Sequence, residues 1–308
     1  MSAASALTAV PPVRRRERLH GLAWVVWRQN RTMAWLLLGV VLLAVGYMVI
    51  QRFEFQSDLN AYAARGCDIS EGATNCGGID NSLYSEEDLW SHLLDLLLLG
   101  PLLVGVFAGA ASFGGDFEGG RHKLLWSQSV SPRRWLVHRL ALPAAAVVLG
   151  ATAIALTSAW YWDWSRPDFP VTVWWDRTTF GISGPLYPAA ALFALLLGAA
   201  SGLLLRRVVA AIAATGIVYL VVIIGVNTYV PRLAWPVHMA PGAGGIPQSA
   251  WLYTLSMVLP WDQAGGRVSS YQPASHFWML EFIEAGILLL LSAALVAFAF
   301  RWVRRLSV

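Results

Sequence analysis

The chain has 308 residues, of which 57% are hydrophobic and only 13% are charged, and its formal net charge is +4 at pH 7. Soluble domains carry roughly 25% charged residues. The composition, with a mean hydropathy of +0.55, therefore excludes an ordinary soluble protein and indicates a polytopic membrane protein.

Residues 1–18 form a basic N-terminal segment that is predicted to be disordered. It begins with small and apolar residues, contains Pro11-Pro12, and ends in an arginine cluster that includes Arg14–Arg16 and Arg18. A secretory signal peptide would place a basic start before an apolar core and a small-residue cleavage site. This segment lacks that order, so we do not expect a signal peptide.

Residues 19–31, LHGLAWVVWRQNR, are predicted to form an amphipathic helix. Leu19, Leu22 and Val26 follow the helical spacing of one apolar face, whereas the arginines lie away from it. Tryptophan favours the headgroup region, so we expect the helix to lie flat on the membrane surface. A helix that simply leads into the first span is the alternative. The residues that define this segment are Trp24, Trp27, Arg28 and Arg31.

Six later stretches are apolar over the roughly 20 residues that a helix needs to cross a bilayer. We predict an all-α membrane protein with one six-span domain over residues 19–308. The predicted spans are residues 33–50, 93–113, 136–160, 185–205, 208–230 and 277–302, and the predicted outer loops are residues 51–92, 161–184 and 231–276.

The distribution of basic residues predicts the orientation of the spans. With the N-terminus inside, 16 of the 22 Lys and Arg residues fall in the inner segments and 6 in the outer ones. Inner loops of membrane proteins carry the excess of positive charge. Both termini are therefore predicted to be cytoplasmic.

The first outer loop contains the only two cysteines, Cys67 and Cys76. Both would lie on the oxidising side of the membrane, so we predict a disulfide between them. A redox-active pair is the alternative, but the Cys-x8-Cys spacing differs from the Cys-x-x-Cys of such pairs.

Residues 105–140 run from the end of the second span to the start of the third, and they hold seven Asp, Glu, Lys and Arg residues. The charged segment between the two spans cannot lie in hydrocarbon. Glycines around Asp116 and Glu118 are expected to end or kink the second span. The following HKLLWSQSV, residues 122–130, is predicted to be a short helix on the cytoplasmic face. Ser131-Pro132 then begins the third span.

This region resembles the loop between spans two and three of type-2 ABC exporter permeases, and most closely a subgroup common in high-GC bacteria. The chain departs from that pattern at Gly115, where Arg is typical, and at Arg121, where Thr is typical. A Trp-Arg-Gln-x-Arg run at residues 27–31 is also similar. The matching positions are Pro101, Leu103, Gly105, Phe107, Gly109, Ala110, Asp116, Glu118, Gly120, Leu124, Trp126, Gln128, Ser129, Val130, Arg134 and Trp135.

The resemblance implies the transmembrane permease subunit of an ATP-driven exporter in a bacterial plasma membrane. Six spans are half a transporter in that family, so a homo- or heterodimer is implied, together with a separate ABC ATPase dimer that binds ATP and Mg. The chain itself would hold no cofactor and no metal. The resemblance implies coupling to the ATPase through Asp116, Glu118, Arg121, Lys123, Leu124, Trp126, Gln128, Arg133 and Arg134.

The remaining outer loops are rich in aromatic residues. Tryptophans in residues 161–184 are predicted to form an interfacial belt, with stacking on a ligand as the alternative. Residues 250–259, AWLYTLSMVL, are too short to span and are predicted to form an interfacial or re-entrant helix. These apolar loops favour an amphipathic or lipophilic substrate, such as a drug, an antibiotic or a lipid.

Glu281 and Glu284 lie near the outer end of the last span and share a helix face, because they are three residues apart. Carboxylates inside a membrane mark an ion path, a substrate site or a structural polar contact. Exposure to water at the headgroup level is the alternative. Asp95 and Asn227 are further candidates for polar residues of a translocation path or a dimer interface.

Enzymatic activity is not predicted. Lys123 is the only lysine and does not follow the Gly-x4-Gly of a phosphate-binding loop, so no nucleotide-hydrolysing domain of that kind is present. The six histidines are dispersed and form no His-Glu-x-x-His zinc motif. The basic ends suit topology and anionic membrane lipid rather than nucleic acid. A non-transporting immunity or sensory module that anchors an ATPase is the alternative function.

Overall fold

The computed structural model describes residues 22–65, 92–120, 131–165, 176–234, 237–239, 251–253 and 269–306. Within them, six helices are long and apolar enough to cross a membrane, so the six-span helical prediction is confirmed and the chain is a multi-pass membrane protein. The helices are α1 (Leu22–Ala64), α2 (His92–Glu118), α3 (Pro132–Ser165), the short α4 (Arg177–Ile182), α5 (Leu186–Leu205), α6 (Val208–Leu233) and α7 (Phe277–Leu306). Because six consecutive spans lie between them, the start of α1 and the end of α7 lie on one side of the membrane, here called the terminal face, opposite the distal face.

The helices extend beyond the predicted spans. Helix α1 has 43 residues and is about 65 Å long at 1.5 Å per residue, roughly twice the thickness of the hydrocarbon core. Residues 22–31, predicted as an interfacial helix, are helical and continue without a break into the first span. Because charged and aromatic residues can remain helical once they leave the hydrocarbon, an apolar window underestimates the length of a helix.

Helix α5 lies at the centre of the bundle. In its apolar segment 72% of the residues are buried, against 17–33% in the other five spans. Its many alanines and glycines allow close approach on several sides, as small residues do at membrane helix interfaces. The tight turn predicted at Arg206-Arg207 is confirmed, with Arg206 in the left-handed conformation that ends α5.

Glycines bring α2 and α5 into backbone contact. A Cβ on Gly109 would lie 2.6 Å from the Leu195 carbonyl oxygen, and one on Gly198 would lie 2.7 Å from the Ala110 nitrogen. Real Cβ atoms do not approach backbone so closely. Residues Val104–Ala111 of α2 form a π-helical segment at this contact, and the absence of side chains at both glycines permits the approach.

A proline in α2 and the C-terminal end of α6 each leave backbone carbonyls that buried polar side chains then satisfy. Pro101 has no N–H to donate to the Leu97 carbonyl, and the Tyr187 hydroxyl donates to that oxygen instead, at 2.8 Å. At the distal end of α6, Gln272 Nε2 donates to the carbonyl oxygens of Pro231, at 2.9 Å, and Ala234, at 2.6 Å. Both arrangements pair carbonyls that lipid could not satisfy.

Three short strands add a small antiparallel sheet to the helical bundle. Strands β1 (Val237–Met239) and β2 (Trp251–Tyr253) both pair with the central β3 (Ser269–Gln272). The predicted helix over residues 250–259 is therefore wrong for Trp251–Tyr253, and residues 254–259 lie outside the described part. Trp, Leu and Tyr pack well on a pleated surface, and β3 supplies the backbone partners that a short helix would have lacked.

We predict that Gly198→Ala lowers the stability of the protein. The added methyl would overlap the backbone of α2, and overpacking of this kind typically costs about 1–3 kcal/mol. Gly216→Ala on α6 is the matched control, because a Cβ there meets nothing within 4 Å and Ala is the better helix former. Thermal unfolding in detergent checks this expectation. A Tm for Gly198→Ala equal to or above that of Gly216→Ala would contradict the close α2–α5 contact.

Candidate functional site

The end of α2 at the terminal face is joined to α3 by a buried ion pair. Arg139 Nη2 lies 3.0 Å from Asp116 Oδ2, with the two side chains 7% and 8% exposed. The Arg139 guanidinium also lies 5.8 Å from the centre of the Phe113 ring. Trp135 packs edge-on against Phe113 and Phe117, at 6.0 and 6.3 Å between ring centres. This apolar enclosure strengthens the charge–charge attraction because it excludes water.

The ion pair joins the two helices that flank the predicted coupling segment. Residues 121–130, which include the candidates Arg121, Lys123, Leu124, Trp126 and Gln128, lie outside the described residues. The other two basic candidates, Arg133 and Arg134, are exposed on the first turn of α3. Asp116 and Arg139 thus hold together the two helices from which this segment emerges.

Glu118 connects α2 to a third helix, α6. Its Oε2 accepts a hydrogen bond of 3.0 Å from the backbone N–H of Val208, the first residue of α6. Arg207 provides no side-chain cap there, so Glu118 satisfies an otherwise unpaired N–H and places a negative charge at the positive end of the helix. The side chain is exposed, and it therefore remains accessible to a partner from the terminal face.

Glu281 makes the equivalent contact near the distal face. It is 0% exposed, and its Oε2 accepts a hydrogen bond of 2.9 Å from the N–H of Leu186, the first residue of α5. A Cβ on Gly184 would overlap this carboxylate, so glycine is needed for the approach. The geometry identifies Glu281 as a structural polar contact that caps the central helix.

Glu284 lies one turn further along α7 and is also 0% exposed. The alternative of two water-exposed carboxylates is therefore wrong. Both oxygens of Glu284 are buried without a hydrogen-bond partner among the described residues. Asp95 is exposed near the start of α2, and neither it nor Asn227 hydrogen-bonds to the glutamates.

A cavity of about 70 Å³ lies among α2, α4, α5 and α6. Most of its lining is apolar. Arg177, Tyr187, Tyr219 and Asn227 supply its polar atoms. The Asn227 side-chain oxygen is buried and lacks a hydrogen-bond partner in the described part of the chain, so this predicted candidate lines a cavity rather than joining the glutamates.

The sequence prediction missed several residues of these contacts. Arg139 was counted as a loop charge, and Gln272, Tyr187 and Gly184 were not singled out. A signal existed for Tyr187, since Pro101 leaves a carbonyl in an apolar span that requires an outside donor. The partners of Glu118 and Glu281 lie 90 and 95 residues away in sequence, and local patterns carry no signal for them.

Of the remaining predicted residues, some lie in the described part of the chain and some lie outside it. The side chains of Trp24, Trp27 and Arg28 lie outside the described residues, whereas Arg31 is exposed. Cys67 and Cys76 also lie outside them, so the disulfide stays a prediction. Trp162, from the predicted aromatic belt, is buried and stacks on Phe277 with 5.3 Å between ring centres.

We predict that the cap from Glu281 to α5 stabilises the protein. Glu281→Leu should remove it at a cost of about 0.5–2 kcal/mol, the usual range for a lost N-cap. Glu281→Gln should lose less, because the amide oxygen can still accept from Leu186. Thermal unfolding of both variants measures the difference. Equal losses in the two variants would show that the carboxylate charge, rather than the hydrogen bond, is what stabilises.

Comparison with known proteins identifies the family of the chain. The sequence family described as ABC-2 membrane transporter related matches residues 38–231, which comprise the first five spans almost completely. No match is found among curated proteins or among solved structures. The matched region includes the Asp116–Arg139 pair, the Glu118 cap and the central helix α5. The chain belongs to the ABC-2 membrane transporter related family and is a multi-pass permease component of a transporter.

Proposed function

We propose that the chain is the permease subunit of an ATP-driven exporter that moves an amphipathic or lipophilic molecule out of the cytoplasm. A separate ABC ATPase dimer supplies the energy, and a second permease subunit completes the path. The terminal face is the cytoplasmic face of a bacterial plasma membrane, in accord with the 16 basic residues assigned to it. The family of the chain supports an ATPase partner of this kind.

The proposal rests on one observation: the acidic C-terminal end of α2 contacts two other helices. Asp116 pairs with Arg139 of α3, and Glu118 caps α6 at Val208. Force applied to residues 121–130 would therefore reach α2, α3 and α6 together. An ATPase can shift the conformation of a permease only through contacts that differ between the permease's states. Residues 121–130, which connect α2 and α3, are suited to transmit such a shift.

Helix α6 connects the anchored end to the cavity. Val208 and Asn227 are 19 residues apart on one helix, which corresponds to about 28 Å. Tyr219 and Asn227 of the same helix line the cavity. A displacement of the α6 N-terminus would move these side chains with it, so that closure of the ATPase changes the shape of this cavity.

The cavity supports the proposed class of substrate. Its apolar lining favours hydrocarbon or aromatic groups, while Arg177, Tyr219 and Asn227 offer polar contacts to one end of such a molecule. A strongly hydrophilic polymer would find few hydrogen-bond partners on these walls. An amphiphile that enters from the membrane satisfies both parts.

We predict that Glu118→Gln uncouples the transporter. The amide oxygen can still accept from Val208, so folding should be retained, but the negative charge offered to the ATPase is lost. Co-expression with its ABC ATPase partner, followed by assay of MgATP hydrolysis and dye accumulation in inside-out vesicles, tests this. We expect transport to fall several-fold per ATP hydrolysed. Glu54→Gln is the matched control, as Glu54 is exposed near the opposite end of α1, and it should leave the ratio unchanged.

We predict that filling the cavity blocks transport. Ile223→Trp places an indole in the cavity, whereas the neighbouring Ile224 is 52% exposed on the outside of α6, so Ile224→Trp is the control. Accumulation of a panel of fluorescent lipophilic dyes should be lost only in the first variant. If wild-type vesicles with a bound, active ATPase accumulate no dye in the panel, the non-transporting module becomes the better description.

A further inference from the structure

A second, wholly apolar groove of about 90 Å³ lies among α1, α2 and α3. It is separate from the cavity at α6 and contains none of the residues assigned to coupling. Alanines from the three helices, Ala34, Ala108 and Ala146, leave the hollow between larger side chains, and Pro143 interrupts the hydrogen-bond pattern of α3 beside it. Each wall is apolar, so the groove suits a hydrocarbon ligand.

The contact between α1 and α3 gives the position of the groove across the membrane. A Cβ on Gly150 of α3 would lie 2.9 Å from Val41 Cγ2 of α1, so these residues are at the same level. Both helices run from the terminal face to the distal face. Met33 and Leu142 each lie eight residues earlier, about 12 Å nearer the terminal face. The groove therefore opens into the leaflet next to that face.

Arg31 supplies a cation beyond the end of the groove that is nearer the terminal face. Arg31 is exposed and lies three residues before Ala34, so the two share one side of α1. Helical side chains tilt toward the helix N-terminus, which directs the Arg31 guanidinium away from the hydrocarbon and toward the headgroups. His138, four residues before Leu142 on α3, is half-buried on the same side as that groove residue.

We propose that this groove binds one acyl chain of an anionic phospholipid, with the lipid phosphate at Arg31. Interiors of proteins are close-packed, and a flexible acyl chain can fill an irregular hollow that rigid helices leave open. The cation matches the anionic headgroup of such a lipid, and the apolar groove matches its acyl chain. A basic residue near an anionic surface contributes about 1 kcal/mol to the binding free energy. The site would attach the first span to a lipid of the terminal-side leaflet.

The test uses the full chain, reconstituted in vesicles of equal phosphatidylglycerol and phosphatidylcholine with identical acyl chains, then extracted and analysed by native mass spectrometry. Wild type should retain phosphatidylglycerol in preference to phosphatidylcholine. Arg31→Ala should lower that preference about fivefold, and Arg31→Lys should largely keep it. Ala34→Trp, or Leu142→Trp as a second filling variant, should reduce retention of both lipids.

Two controls on α7 lie near the same face but outside the groove. Arg305 and Ala297 are both exposed there, so Arg305→Ala and Ala297→Trp should retain lipid as wild type does. Equal losses in these controls, or unchanged retention in both groove-filling variants, would overturn the proposal. The same spectra report the number of chains per complex. If Ala34→Trp reduces that number and leaves lipid retention unchanged, a second copy of the chain occupies the groove instead.

Discussion

Backbone polar groups that cannot reach water govern the arrangement of this membrane protein. In hydrocarbon an unpaired N–H or C=O costs several kcal/mol, so helix starts and prolines need partners from elsewhere in the chain. Three buried side chains fill this role: Glu281 accepts from the first N–H of α5, Tyr187 donates to the carbonyl left unpaired by Pro101 in α2, and Gln272 donates to carbonyls at the end of α6. The exposed Glu118 makes a similar contact with the first N–H of α6 at the terminal face. Each contact joins elements that are distant in sequence, so satisfying the backbone also determines which helices are neighbours.

The same constraint explains why acidic residues are kept within or beside apolar spans. A buried carboxylate is expensive unless it is paired, and the buried Asp116 and Glu281 each have a specific partner. Glu284 is different, because its two oxygens are buried without a partner among the described residues. Groups of this kind need a separate explanation, and Glu284 lies one turn from the residue that caps the central helix.

The sequence was sufficient to predict the six membrane-spanning helices but not the contacts between them. Apolar runs gave all six membrane helices because hydropathy reports directly on the cost of leaving water, and Arg206-Arg207 located the tight turn. Helix ends were misjudged since hydrogen bonding continues past the apolar window, as in α1. The strand at Trp251–Tyr253 was missed because its stability comes from β3, 16 or more residues later. Pairs such as Asp116 with Arg139 depend on the angle and register between helices, which local composition does not encode.

Helix α6 is best understood by comparing its two long sides. One side meets α5, α2 and α7, while exposed apolar residues such as Val209, Ile217 and Val221 cover the other. Only 17% of its apolar segment is buried, so α6 can move at a lower packing cost than α5, which would have to break contacts on every side. Its two ends are nevertheless held, at Val208 by Glu118 and at Pro231 by Gln272. A helix that is bonded to α2 at its N-terminus and loosely packed along its length can follow a displacement of α2, and the cavity beside Tyr219 and Asn227 would then change shape.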